Sequence, residues 1–228
     1  MGFAEEIVYL VSTYGVSLFN AMLLTLEITS IGFTLGVLLG LPISLGRVYG
    51  PLPLKALLAA YIELIRGTPM IVQLFFIYYA LPLVGIKLDA FTASIIAIGL
   101  NSAAYQAEYF RMAFGAVPRE QWEAALSIGL SKWNTITNVI IPQGVRIAIP
   151  ALTNELIYLL KYSSIAYFVT VPETVYVSKV IGAKTLLHIQ IYTITAVFYI
   201  LVAVVLTKSA KKLEERVSIP GLVVKGRI

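Results

Sequence analysis

Seven polar or charged side chains stand inside runs that are otherwise apolar: Glu27, Glu63, Arg66, Glu108, Asn154, Glu155 and Lys161. On insertion scales an ionised group at a helix centre in hydrocarbon costs about 2.5–3.5 kcal/mol, so such residues are expected to face a partner or a wet cavity. Glu63 and Arg66 are three residues apart, which puts both on one helix face where they can pair, and Glu108 and Arg111 repeat that spacing. For both pairs the simpler reading is structural neutralisation, with Glu63 also a candidate for lining a substrate path. Glu27 and Glu155 have no basic residue three or four positions away. If both face one water-filled path, that path is acidic and attracts a cation by simple Coulomb force. Asn154, Tyr158 and Lys161 fall on roughly one helical face and are further candidates for its lining.

The elements that must carry these groups follow from composition. Of 228 residues, 59% are hydrophobic and 13% charged, with a mean hydropathy of +0.87. A soluble domain carries about 25% charged residues, so this chain lacks the means to clothe a soluble surface and reads as an integral membrane protein. The net charge of +5 forms no basic stripe in a polar region, which argues against nucleic acid. Without cysteine there are no disulfides and no thiol chemistry. His188 is the single histidine, and a metal site needs more ligands; it reads as an interfacial residue with no metal role. The first residues, MGFAEEIVYLVSTYG, are acidic where a secretory signal would be basic.

Five apolar stretches are long enough to cross about 30 Å of hydrocarbon, which takes about 20 helical residues. They lie near 17–46, 54–82, 90–114, 144–170 and 188–208. With the N-terminus outside, Arg47, Lys55, Arg111, Arg119, Lys132, Arg146, Lys208, Lys211, Lys212, Arg216, Lys225 and Arg227 fall inside. Only Lys87, Lys179 and Lys184 fall outside. That asymmetry predicts an outer N-terminus and a cytoplasmic C-terminus. The expected fold is therefore an all-α membrane protein of five transmembrane helices, with residues 1–228 forming a single unit. A short interfacial helix carrying Glu5 and Glu6 is expected before the first span. Gly32, Gly36 and Gly40 form a small-residue ridge that lets another helix approach closely, within the subunit rather than between subunits.

Residues 116–143 are polar and, by this topology, cytoplasmic. Arg119 to Gly129 reads as a helix, with Trp122, Ala125 and Leu126 on one side and Glu120 and Glu123 elsewhere. Gly129 supplies a stop, Ser131 caps a second helix running toward Ile141, and Pro142 is expected to end it. Shape alone is equally consistent with an amphipathic loop lying on the bilayer.

Glu123-Ala124-Ala125, followed by Gly129 and then Val139, Ile141 and Pro142, resembles the EAA loop of ABC-importer membrane subunits. Val139 stands for the usual isoleucine and Ile141 for a leucine. The segment from Tyr61 to Pro69 with Gln73, the group Ala104, Tyr105, Glu108 and Arg111, and the series from Pro142 through Arg146, Pro150 and Asn154 to Ser164 are similar to signatures of the polar amino acid permease subfamily. Tyr162 departs from the acidic residue frequent there. The resemblance implies a prokaryotic plasma-membrane subunit that dimerises with itself or a homologous permease. It also implies two ATPase subunits that hold ATP and Mg, usually an extracytoplasmic binding protein, and an EAA helix that docks the ATPase through Glu123, Ala124, Ala125 and Gly129.

With that family in view, the cation for the acidic path becomes a basic amino acid. Its side chain would meet carboxylate, and its own carboxylate would meet backbone N–H groups or hydroxyls freed by a helix break at Gly67-Thr68-Pro69. No phosphate-cradling G-x-x-x-x-G-K-[ST] is present, so ATP hydrolysis falls to another chain. The competing function is an ion- or proton-coupled carrier working alone, against which stand five spans and no inverted repeat. A membrane-embedded enzyme is remote, because no catalytic triad or metal spacing appears.

Overall fold

The structure is a computed structural model and describes residues 2–217; Lys225 and Arg227 lie outside them. Helix α1 runs unbroken from Phe3 to Tyr49, 47 residues. At 1.5 Å per residue that is about 70 Å, more than twice the hydrocarbon thickness. The separate interfacial helix expected before the first span is therefore absent, and the segment holding Glu5 and Glu6 is the first part of α1. It continues as helix because it has something to lean on. Leu10 and Leu18 pack with Ile181 and Ile191, and Gln190 donates a hydrogen bond to Glu6 at 2.6 Å.

Helix α2 (Leu52–Arg66) stops at Gly67-Thr68-Pro69, where Pro69 cannot donate to the ladder. Helix α3 (Met70–Phe75) restarts after a bend of 104° and passes into a π-helical turn, Phe76–Ala80, and a 3-10 turn, Leu81–Val84. The break expected from the sequence is thus present, but it turns the second span sharply.

Helix α4 (Ala90–Gly115) begins at Asp89, whose carboxylate accepts the Thr92 N–H at 3.0 Å. Bonds from the Thr92 hydroxyl and backbone hold that carboxyl below the usual range. Helix α4 is the centre of the molecule and packs against α1, α2 and α3. Its seam with α1 is the glycine ridge: a Cβ on Gly32 would lie 2.5 Å from Ile98, and one on Gly40 would lie 3.0 Å from the Ala103 carbonyl. The ridge is an intramolecular contact, as expected.

Helix α5 (Arg119–Ser127) is followed by Gly129 at φ +86° and by Ser131, whose hydroxyl accepts the Asn134 N–H at 3.2 Å. Helix α6 (Lys132–Thr135) then leads through a π-helical turn, Ile136–Ile140, into α7 (Ile141–Tyr162) without interruption. Pro142 therefore does not end the helix. In a regular α-helix its ring would strike the carbonyl of Asn138, and the wider π turn moves that carbonyl aside. A 3-10 segment, Ser163–Val169, ends at Thr170, before α8 (Thr174–Thr185) and α9 (His188–Val217). His188 is exposed at the start of α9. Threonine and serine hydroxyls bolt this end together, Thr25 to Thr174 at 2.8 Å and Ser178 to Thr195 at 2.6 Å.

Among the described residues, Phe3–Tyr49, Lys132–Val169 and His188–Val217 are long and apolar enough to cross a membrane, and the bent α2–α3 pair makes a fourth candidate. Helix α4 is 26 residues long and carries Asn101, Gln106 and Glu108 into the interior.

Candidate substrate cavity and coupling loop

The α2–α3 break, α4 and α7 enclose a cavity of about 740 Å³. Its wall holds four tyrosines, Tyr105, Tyr109, Tyr158 and Tyr162, together with Asn101, Glu155 and Arg66. Glu155 is 5% exposed. Its carboxylate accepts hydrogen bonds from Ser102 at 2.9 Å and Tyr109 at 3.2 Å, and no basic side chain among the described residues forms a salt bridge with it. A buried carboxylate facing aromatic rings is a setting for a cation, since each ring face attracts positive charge.

Glu27 is not part of this cavity. It lies in a second recess of about 390 Å³ with Asp89, Thr170 and Pro172, so Glu27 and Glu155 line separate recesses rather than one. The reason is helical phase: Thr25, Ile28 and Thr29 occupy the buried face of α1, and Glu27 points away from it. Asn154, Tyr158 and Lys161 do share an exposed face of α7, but only the Tyr158 ring reaches the cavity wall. Lys161 sits over that ring, 4.6 Å from its centroid, outside the cavity.

The ion pairs also rearrange. Glu63 is exposed, is not among the residues lining the cavity, and makes no salt bridge with Arg66, because it lies on the outward side of α2. Arg66 turns toward Glu108, at 4.0 Å, and its guanidinium lies 5.1 Å from the Tyr105 ring centroid. Glu108 and Arg111 pair as their spacing suggests, through contacts of 2.8 and 3.0 Å. Arg47 of α1 joins the same carboxylate by a short hydrogen bond. No local spacing could have announced Arg47, which is 61 residues from Glu108.

The carbonyls of the Gly67-Thr68-Pro69 break are met from within. The Thr68 hydroxyl donates to the Leu64 carbonyl at 2.9 Å. The Gln73 amide donates to the Ile65 carbonyl at 2.7 Å and the Thr68 carbonyl at 3.1 Å, and its own oxygen accepts from Asn101 at 3.0 Å. Gln73 is the clamp of the bend. The sequence offered it only as a neighbour of the break.

At the far end of α1, the Tyr49 ring stacks on Trp122 of α5, with centroids 6.3 Å apart and planes 8° from parallel. Ala125 is buried beneath the loop, while Glu123, Ala124 and Gly129 are exposed. Glu123 pairs with Arg119 at 3.0 Å, and Ile128 and Trp133 are 79% and 64% exposed beside it. The loop thus presents a charged motif and bare apolar side chains side by side at the surface.

Residues 32–219 match the family described as the binding-protein-dependent transport system inner membrane component. The chain belongs to that family. It is 43% identical to the probable amino-acid ABC transporter permease protein YckA of Bacillus subtilis strain 168, over 77% of each chain. It is 36% identical to the glutamine transport system permease protein GlnP of Escherichia coli strain K12, over 86% of this chain and 90% of that one. Its fold matches a chain from a crystal structure of an amino acid ABC transporter with histidines, with a TM-score of 0.86, 34% identity, and 95% of this chain and 99% of that one covered. The chain is thus an all-helical permease subunit of an amino-acid ABC importer in the inner membrane, and a separate subunit hydrolyses ATP. Family membership replaces the reading of a self-sufficient ion-coupled carrier.

Proposed function

We propose that this subunit imports a polar L-amino acid, with a basic side chain preferred, by alternating access of the tyrosine-walled cavity. The observation that carries the reading is Glu155: a buried carboxylate with hydroxyl donors but no protein cation, placed so that a substrate supplies the positive charge. The loss of Glu27 from the path leaves Glu155 as the acidic group of the site. The assembly we propose has five crossings, with the N-terminus outside and the C-terminus cytoplasmic. A second copy or a homologous permease completes the membrane pore. Two ATPase subunits holding ATP and Mg grip the α5 loop through the exposed Glu123, Ala124 and Gly129, the buried Ala125 seating α5 on the subunit instead, and an extracytoplasmic binding protein delivers the amino acid.

The test is uptake by proteoliposomes containing the complex with its ATPase, using labelled arginine, lysine, glutamine and glutamate. Arginine or lysine is expected to lead. Glu155→Gln is expected to lower uptake of the basic substrates by about tenfold or more, the scale of a lost charged hydrogen bond, with less effect on glutamine. Equal uptake of arginine by the wild type and Glu155→Gln would sink the proposal.

A further inference from the structure

We infer that Arg66 is a substrate-binding residue whose guanidinium takes the α-carboxylate of the amino acid, leaving its contact with Glu108 to do so. This rests on the cavity being the amino acid site. Three observations support it. First, Arg66 lines the cavity, stacked over Tyr105, while Glu155 hydrogen-bonds to Tyr109. Tyr105 and Tyr109 are four residues apart on α4, and Arg66 and Glu155 form no salt bridge with each other, so the wall presents a cationic and an anionic group that do not neutralise one another. An amino acid with a basic side chain presents complementary charges at its two ends.

Second, Arg66 is the surplus cation of its cluster. Glu108 is already hydrogen-bonded by Arg47 and by Arg111, and Arg66 reaches it only at 4.0 Å, with no hydrogen bond. Three arginines on one carboxylate leave two positive charges without a counter-charge in the cluster. Moving Arg66 from that loose contact to a ligand carboxylate costs little and lets it form the paired N–H contacts that a guanidinium makes with a carboxylate.

Third, the hydroxyl and side-chain amide at the break are already in use. The Thr68 hydroxyl donates within its own helix and accepts from Gln73 at 2.8 Å, and the Gln73 amide closes the break. Arg66 is the cation that lines the cavity wall.

A role in folding alone would weaken all ligands alike, so the test compares ligands that differ only at the carboxylate. In proteoliposomes of the complete complex, L-arginine and L-argininamide compete against labelled L-arginine, with L-glutamine and L-glutaminamide against labelled L-glutamine as a second pair. The wild type should prefer each acid over its amide by about tenfold or more. In Arg66→Gln that ratio should fall to near one. Arg66→Lys keeps the charge and loses the planar fork, and should give an intermediate ratio. A ratio unchanged in both variants, or a wild type that does not distinguish acid from amide, would overturn the assignment even if one variant assembles poorly. A wild-type complex that takes up neither amino acid would overturn the cavity reading itself, and this inference with it.

Discussion

The α1–α4 seam and the α5 loop both depend on glycine, for opposite reasons. In the seam, Gly36 is needed for space: an added Cβ would lie 2.7 Å from the Ser102 hydroxyl and closer still to the Gln106 amide. In the loop, Gly129 has nothing within 4 Å of an added Cβ and is needed for its φ of +86°. The seam is a closed surface whose groups are spent on holding α4, the helix that carries Tyr105, Tyr109 and Glu108. The loop spends few groups on the fold and leaves Glu123, Ile128 and Trp133 available. The proposed alternating access needs both: a stiff joint that moves as one body and an exposed handle by which it is moved.

Substitutions can break or sharpen this contrast. The largest expected effect is at the seam. Gly36→Leu should cost about 3 kcal/mol or more by overpacking, seen as loss of monodisperse protein in detergent or a large drop in thermal midpoint. Next is the clamp of the bent span. Gln73→Leu removes the side-chain donor of the part-buried Ile65 carbonyl and the exposed Thr68 carbonyl, about 1–3 kcal/mol for the two hydrogen bonds together, and uptake should fall with it. Gly129→Ala in the loop should cost about 1–2 kcal/mol, the strain of a left-handed dihedral for a residue with a Cβ. It should also weaken co-purification with the ATPase. Smallest in stability is Glu123→Ala, which removes an exposed pair worth at most about 0.5 kcal/mol. Here the thermal midpoint should stay put while ATPase co-elution is lost. If Glu123→Ala leaves co-elution intact, the loop is not the handle and the contrast fails.

The junction of α1 and α8 offers a third case. Glu173 is fully buried and caps α8 by accepting the N–H groups of Val175 and Tyr176 at 2.9 and 2.7 Å. It sits beside the Thr25–Thr174 bolt between α1 and α8. From sequence it is one glutamate after a proline in an outer loop, and nothing in its spacing marks it as interior. The same blindness explains the other misses. Three-residue spacing correctly paired Glu108 with Arg111, because both ends of that contact lie on one helix. It wrongly paired Glu63 with Arg66, because a neighbouring helix presented a better-placed carboxylate.

The amino-acid sequence by itself determined the features that depend on the chain within one or two turns. These are the membrane class, set by the shortage of charge, the break at Gly67-Thr68-Pro69, the Gly129 turn and Ser131 cap, and the glycine ridge. Each follows from local backbone geometry or from bulk transfer energy, which need no knowledge of neighbours. Only the tertiary structure decided where charges end up. It placed Glu27 and Glu155 in separate recesses, brought Arg47 to Glu108, and carried the helix through Pro142 on a π-helical turn. The physical reason is that the cost of a charge in a low-dielectric interior is settled by its nearest counter-charge in space, and helix packing brings that partner from anywhere in the chain.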